Sequence, residues 1–516
     1  MHVALTVRDF LDRAATVYPG RTAVVDEPDV PGSLGAITYA DLDARARGMA
    51  IALESMGVGV GDRVAIVSPN AAKFVVSFFG VSGYGRTLVP INYRLGPEEI
   101  RYVVDHSGAS VLLVDPDSDD ALAGVDAEHR IVLDGVKDAA LFAPADPNAD
   151  APAWEPDEAA TASINYTSGT TARPKGVQLT HRNCWLNAAT FGWHIGVRDR
   201  DVYMHTLPMF HCNGWGMPYA VTAMGVPQVV VRKIDGEEIL RRMEERLVTL
   251  LCASPAVVAS VLDAAAKRFA NGAEIPGRAR TRIVVAGAPP PSKTIERVET
   301  ELGWEFIQIY GLTETSPLLT INRAPPEWDD LEAAERAKML SRAGVPAVGV
   351  RMATGSDGEV ISRSNHVFEG YWEQPEESAK ALAEGWFHTG DEGHIDATGY
   401  VNISDRKKDV IISGGENVSS VEVEDCLYRH PGVAEVAVIG IPSEKWGETV
   451  KALVVLREET AVDEAELIAF CRDRLAHFKC PTSVEFRDAL TRTATGKLQK
   501  FKLRAPYWEG YEKRVN

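Results

Sequence analysis

Along this chain short apolar runs alternate with stretches whose apolar residues recur at helical spacing. Residues 63–67 read as a strand, and Asn70 is placed to cap the helix that follows through Phe79. Residues 110–114, 163–166, 228–231, 249–252, 282–286 and 305–309 read as further strands. Several lead into segments of helical period, such as 236–247 and 255–267. This alternation predicts an α/β fold with layered, mostly parallel sheets and helices. Ligands of such folds sit in the loops beyond the carboxyl ends of strands. The Pro-, Ala- and Asp-rich stretch 144–157 reads as a surface connection. The charged run 404–409 separates two apolar segments, so a small C-terminal domain is expected from about Asp409 onward.

Size and charge narrow the picture. At 516 residues the chain is too long for one ordinary core. Its 54 Lys+Arg against 73 Asp+Glu leave a net charge of −19. That sign repels nucleic acids and anionic membranes, so an anionic substrate has to be held by local groups. The plain alternative is that the acidity serves solubility. Six scattered cysteines, without a CxxC pair, read as reduced thiols. With no signal-peptide pattern at Met1–Asp12, no membrane-length apolar run and no terminal address, the expected compartment is cytoplasmic.

The strongest chemical signal is Tyr166-Thr-Ser-Gly-Thr-Thr-Ala-Arg-Pro-Lys-Gly-Val177. It follows a predicted strand, and Thr167, Ser168, Thr170 and Thr171 flank Gly169, so backbone N–H groups can approach phosphate closely. Lys175 adds positive charge. A Walker A loop is excluded, because Pro174 stands at its second Gly and Gly176 where Ser/Thr follows the Lys. Further on, Tyr310 ends a strand where its ring can stack on a base, or serve simply as core. Glu314 suits Mg²⁺, which takes one or two carboxylates plus phosphate oxygens; a solvated loop glutamate is the alternative. Asp391, after a Thr-Gly turn, is a good acceptor for hydroxyl pairs. Arg406 reads as a second nucleotide contact or as a surface ion pair.

In order along the chain stand Gly287-Ala288-Pro289, Tyr310-Gly-Leu-Thr-Glu-Thr315, Gly385-Trp-Phe-His-Thr-Gly-Asp391, Asp405-Arg-Lys-Lys-Asp409, Ser413-Gly-Gly-Glu-Asn417 and Thr493-Ala-Thr-Gly-Lys497. With the phosphate-type loop, this series resembles the adenylate-forming superfamily over nearly the whole chain. That superfamily holds acyl-CoA synthetases, peptide-synthetase adenylation domains and beetle luciferases. The resemblance implies an ATP-dependent acid–CoA ligase: carboxylate and ATP give acyl-AMP and pyrophosphate, then CoA gives acyl-CoA and AMP. It implies a large N-terminal domain (1–404), a hinge (405–408) and a small mobile α+β domain (409–516).

By resemblance, Lys497, Glu314, Thr170 and His211 are catalytic, and Glu314 with Thr170 serves Mg²⁺. Thr167, Ser168, Gly169, Thr170, Thr171, Lys175, Gly287, Ala288, Pro289, Tyr310, Gly311, Thr313, Asp391 and Arg406 hold ATP. Lys408 is the pivot, and Gly414 and Gly415 border the tunnel for coenzyme A. His211, Asn213, Trp215 and Leu318 face the acid, with Trp215 as an acyl gate or as core. Ala172, Thr491 (in place of a usual Pro) and a short 344–358 segment depart from the family's pattern. The expected acid is a short- to medium-chain fatty acid, with methylthiopropionate or an aryl acid next. A carrier protein as acceptor, a luciferase-like oxygenase and a nucleotide-binding regulator are the rivals. No nucleic-acid partner and no membrane span are expected, and a homodimer is compatible with this reading.

Overall fold

The computed structural model describes residues 1–167, 174–406, 409–413, 416–443, 446–458, 460–493 and 498–509. Among these residues the strands form four sheets. In a nine-stranded sheet, six adjacent parallel strands run from Glu305–Gly311 through Arg282–Val285, Leu250–Ala253, Tyr203–His205 and Gln228–Val230 to Thr22–Val25. A seven-stranded sheet has Thr161–Thr167, Thr87–Ile91, Arg63–Val67, Val111–Val114 and His129–Val132 in parallel. Antiparallel strands finish the edges, including the hairpin of Thr161–Thr167 with Lys175–Thr180. Val111–Val114 and Leu250–Ala253 are buried throughout, as parallel strands covered by helices on both faces must be. The α/β expectation holds, and the predicted strands shift by only one or two residues at their ends.

A smaller antiparallel sheet of Arg351–Thr354, Glu359–Arg363, Phe387–Ile395 and Val401–Arg406 leads toward the C-terminal part. The short 344–358 segment still pairs, through Val345–Pro346 on Leu318–Arg323 and Arg351–Thr354 on Glu359–Arg363. From Ile411 onward a five-stranded sheet packs on the helices Ser420–Tyr428 and Glu464–Arg472 around its own apolar cluster. All six cysteines are buried and free. Among the described residues, no helix is long and apolar enough to cross a membrane.

One local expectation is corrected. The helix after Arg63–Val67 is Ala72–Gly80 and has no side-chain cap. Asn70 is committed elsewhere: its Nδ2 donates to the carbonyls of His205 (2.9 Å) and Leu207 (3.0 Å), and its Oδ1 accepts from Met209 N (2.7 Å). These bonds tie one large sheet to the segment that leads into 211–216.

Candidate active site

Two sheets meet at one carboxylate. Tyr310, near the carboxyl end of Glu305–Gly311, donates its hydroxyl to Asp391 Oδ2 at 2.6 Å. Arg406 Nε reaches Asp391 Oδ1 at 2.9 Å. Asp391 and Arg406 are direct partners on antiparallel strands, so the pairing register itself fixes the ion pair. Gly390, at φ +70, lies within the strand just before Asp391, opposite an irregularity in the pairing with Glu359–Arg363. Burial pushes the Tyr310 phenol far up, and the charge of Asp391 adds to it. Burial alone would weaken the Arg406 proton, but Asp391, then Tyr310, Glu314 and Asp409, outweigh it and raise its pKa. A cavity of about 1110 Å³ opens here, lined among others by Gly287, Ala288, Pro289, Tyr310, Gly311, Asp391 and Arg406. Gly287 sits at φ +92, a conformation that favours glycine.

A second group lies beside the first. Thr167 and Lys175 pair across the hairpin, and Ser168, Gly169, Thr170 and Thr171 between them lie outside the described residues. Lys175 Nζ sits 2.6 Å from Glu377 Oε2 and 4.8 Å above the Tyr371 ring. Tyr371 donates its hydroxyl to Glu314 Oε1 at 2.9 Å. Lys175, and Lys380 after it, hold the Glu377 carboxyl down at about 2. The sequence reading missed Tyr371 and Glu377. Tyr371 lies on the edge strand that pairs with Val177, a neighbour visible only once the sheet is assembled.

The segment 212–216 is strained. Cys212, Asn213, Gly214, Trp215 and Gly216 follow one another at φ +41, +45, +55, +61 and +76. A left-handed turn of this kind costs roughly 1–2 kcal/mol for each non-glycine residue, and such strain persists only where surroundings enforce it. The enforcement is visible. Asn213 Nδ2 donates to Ser163 Oγ (2.7 Å), Asn187 Nδ2 to the Trp215 carbonyl (3.2 Å) and Cys212 Sγ to the Thr313 carbonyl (3.8 Å). Asn187 Oδ1 also accepts from Leu318 N at 3.1 Å. Asn213, Trp215 and Leu318 are buried, Trp215 within an apolar cluster with Leu207, Val221, Ile309 and Leu318, while His211 is half-buried.

Lys408, Gly414, Gly415 and Lys497 lie outside the described residues. Around them, Asn417 Nδ2 donates to Glu392 Oε1 (3.1 Å), next to Asp391. Thr491, where a proline was expected, accepts from Gln499 N at 2.9 Å, and Arg492 bridges Leu498.

The chain matches known families and structures over nearly its whole length. Residues 11–372 match the family described as AMP-binding enzyme, and residues 422–497 match the AMP-binding enzyme C-terminal domain. A 4-hydroxybutyrate–CoA ligase of Metallosphaera sedula is 37% identical, covering 97% of this chain and 94% of its own. An acetate/butyrate–CoA ligase of Arabidopsis thaliana, named as peroxisomal, is 34% identical over 98% of this chain and 94% of its own. The crystal structure of an anthranilate CoA ligase with anthranoyl-AMP superposes with a TM-score of 0.87 at 27% identity, covering 98% of both chains.

Proposed function

The chain belongs to the AMP-binding enzyme family and is an AMP-forming acid–CoA ligase, and on that footing we propose that its acid is a short-chain aliphatic monocarboxylate. The observation that carries the site assignment is a pair of adjoining polar groups. Arg406 pairs with Asp391 and is also drawn by Glu314, which accepts from Tyr371 beneath Lys175.

The chemistry follows from these groups. A carboxylate offers about four acceptor positions. Tyr310 and Arg406 use one on each oxygen of Asp391, which leaves room for both ribose hydroxyls. The Tyr310 ring and the Gly287–Pro289 turn bound the adenine. Lys175 and the 167–171 loop take the phosphates. Glu314 fits Mg²⁺ as one carboxylate, which Thr170 and phosphate oxygens would complete. When bound, Mg²⁺ supplies charge neutralisation on the departing pyrophosphate. The acid's carboxylate attacks the α-phosphorus, and Lys497 stabilises the charge that builds there, worth on the order of a hundred- to thousand-fold in rate. The CoA thiol then attacks the mixed anhydride and AMP leaves. Between the steps residues 409–516 rotate about Lys408, presenting first Lys497 and then Ser413–Asn417.

The choice of acid rests on Trp215 and Leu318, buried in one apolar cluster, whose backbones Asn187 joins. The names of the ligases at 34–37% identity point the same way. An aromatic acid is the second reading, favoured by the likeness to the anthranilate ligase at 27% identity. The test is acyl-CoA and AMP formation across acetate to palmitate, with 4-hydroxybutyrate, methylthiopropionate and cinnamate, with and without CoA. Thioester with matching AMP on short acids is the expected result. A preference for palmitate or cinnamate overturns the acid assignment, and pyrophosphate without thioester points to a carrier protein.

A further inference from the structure

Around the expected pivot the structure gathers carboxylates and bases that no step above uses. Asp405, buried at the end of Val401–Arg406, accepts through Oδ2 from Ser420 N at 3.2 Å and from the Ser420 hydroxyl. Lys500 donates to that same hydroxyl and pairs with Glu424 Oε1 at 2.9 Å, both side chains only 13% exposed. Glu424 is held in turn by Val438 N at 2.7 Å. One turn of helix further, Arg504 stands 3.7 Å from Asp409. Both bases belong to the helix Lys500–Arg504, which begins three residues after Lys497.

The two sides of this cluster differ in what they move with. Glu424, Ser420 and Lys500 lie beyond the pivot and travel together in any rotation about Lys408, whereas Asp405 stays with the four-stranded sheet of Val401–Arg406. The bonds from Ser420 to Asp405 therefore exist in one orientation and break in another. In the orientation seen here, Leu498 and Lys500 line the same cavity as Tyr310 and Asp391, so the flank of the Lys497 segment faces the nucleotide site. Lys500 keeps Glu424 in any rotation, and its link to Asp405 through Ser420 exists only in this orientation. Glu424, Asp405 and Asp409 together hold the Lys500 proton on despite burial.

We propose that Lys500 is a positioning residue for the adenylate-forming half-reaction: clamped between Glu424 and the Ser420–Asp405 pair, it holds the segment carrying Lys497 against the hinge in the orientation that makes acyl-AMP. This rests on the ligase reading given above. Lys500 itself touches no reacting atom.

The test compares half-reactions in the full chain carrying Lys500→Met or Lys500→Arg. Pyrophosphate release with acid, ATP and Mg²⁺ is measured beside thioester formation from a supplied acyl-adenylate and CoA. Lys500→Met is expected to lower kcat for pyrophosphate release roughly a hundred-fold, the usual penalty for a misplaced catalytic group. The KM for ATP and the thioester step should stay within about three-fold of wild type, and Lys500→Arg should recover a large part of the loss. Equal loss in both half-reactions, a loss confined to the thioester step, or no loss at all overturns the proposal. Should Lys500→Met fail to fold, Glu424→Gln removes the same clamp from the other side and is expected to give the same split. Wild-type turnover on the acid panel tests the ligase reading; only the ratio of half-reactions in the variants tests Lys500.

Discussion

At the proposed nucleotide end, Tyr310 and Arg406 reach a single carboxylate, Asp391, from two neighbouring sheets. At the proposed acyl end, residues 212–216 form a left-handed turn pinned from outside by Ser163, Asn187 and Thr313. The first region is built of charged and phenolic groups on paired strands, with Asp391 and Arg406 as direct cross-strand partners. The second is irregular backbone that holds its shape only because buried amides and a tight core enforce it. Charge paired across strands is held by the backbone pairing, so that losing one partner leaves the other without its counter-charge. Packing around a strained turn gives a surface that a few substitutions can reshape, which suits the part that selects the acid.

Breaking the first region should have the largest effect. Asp391→Asn removes a charged acceptor from Tyr310 and leaves Arg406 without its carboxylate. Hydrogen bonds to charged groups are worth about 1.5–3 kcal/mol each, so kcat/KM for ATP should fall on the order of a hundred-fold. The KM for the acid should hardly move. Steady-state kinetics with each substrate varied in turn decides this, and an equal rise in both KM values would dissolve the contrast between the two ends.

Trp215→Ala acts on the other region. Emptying that site costs about 3–5 kcal/mol of stability and opens space beside Leu318. Longer acids should gain relative to acetate while the KM for ATP stays put. An unchanged chain-length profile in a folded variant would return Trp215 to a purely structural role.

These two ends were legible to different degrees. Asp391, Tyr310 and Glu314 stand in short segments whose chemistry can be read locally, and the structure brings them into two adjoining polar groups. Asn187 and Ser163 were not singled out for such contacts, and Asn70 only as a helix cap. Their partners, in that order, lie 131, 50 and 135–139 residues away, and an isolated Asn or Ser carries no local sign of such a bond. Asn70 was read as a helix cap for that reason: capping is the local use of an Asn before a helix, and tertiary contacts overrode it. Asn213, expected at the substrate, is turned into the interior toward Ser163. The α/β layering was legible throughout, since buried parallel strands announce themselves as unbroken apolar runs.

Acid should loosen the molecule before its carboxylates protonate. Burial lowers His181 and His205 to about 4, well under the ordinary 6.5. Between those values the unfolded chain binds two protons that the folded chain refuses. The stability these histidines allow is therefore complete above about pH 6.5 and drains away as the pH falls toward 4, on the order of 3 kcal/mol for each group. His205 belongs to the acyl side, since its carbonyl anchors Asn70 and its ring bonds Gln228 at 2.9 Å. Urea midpoints from pH 7.5 to 4.5 should fall steadily, and His205→Gln should flatten part of the slope. A flat profile in the wild type would show that these rings take up protons without unfolding.

The smallest effect probes whether the nucleotide end is fully poised. Lys175 is engaged by Glu377 at 2.6 Å, on a pair whose side chains are 21% and 38% exposed. A partly exposed pair of this kind is worth at most about 1 kcal/mol and weakens with salt. If Lys175 serves the phosphates, ATP has to draw it away from Glu377, and Glu377→Gln should tighten ATP binding a few-fold at low ionic strength. The gain should shrink as salt screens the pair in the wild type. Titration calorimetry with ATP at two salt concentrations measures both. Weaker binding in the variant would instead make Glu377 the group that aims Lys175, moving it from competitor to part of the phosphate site.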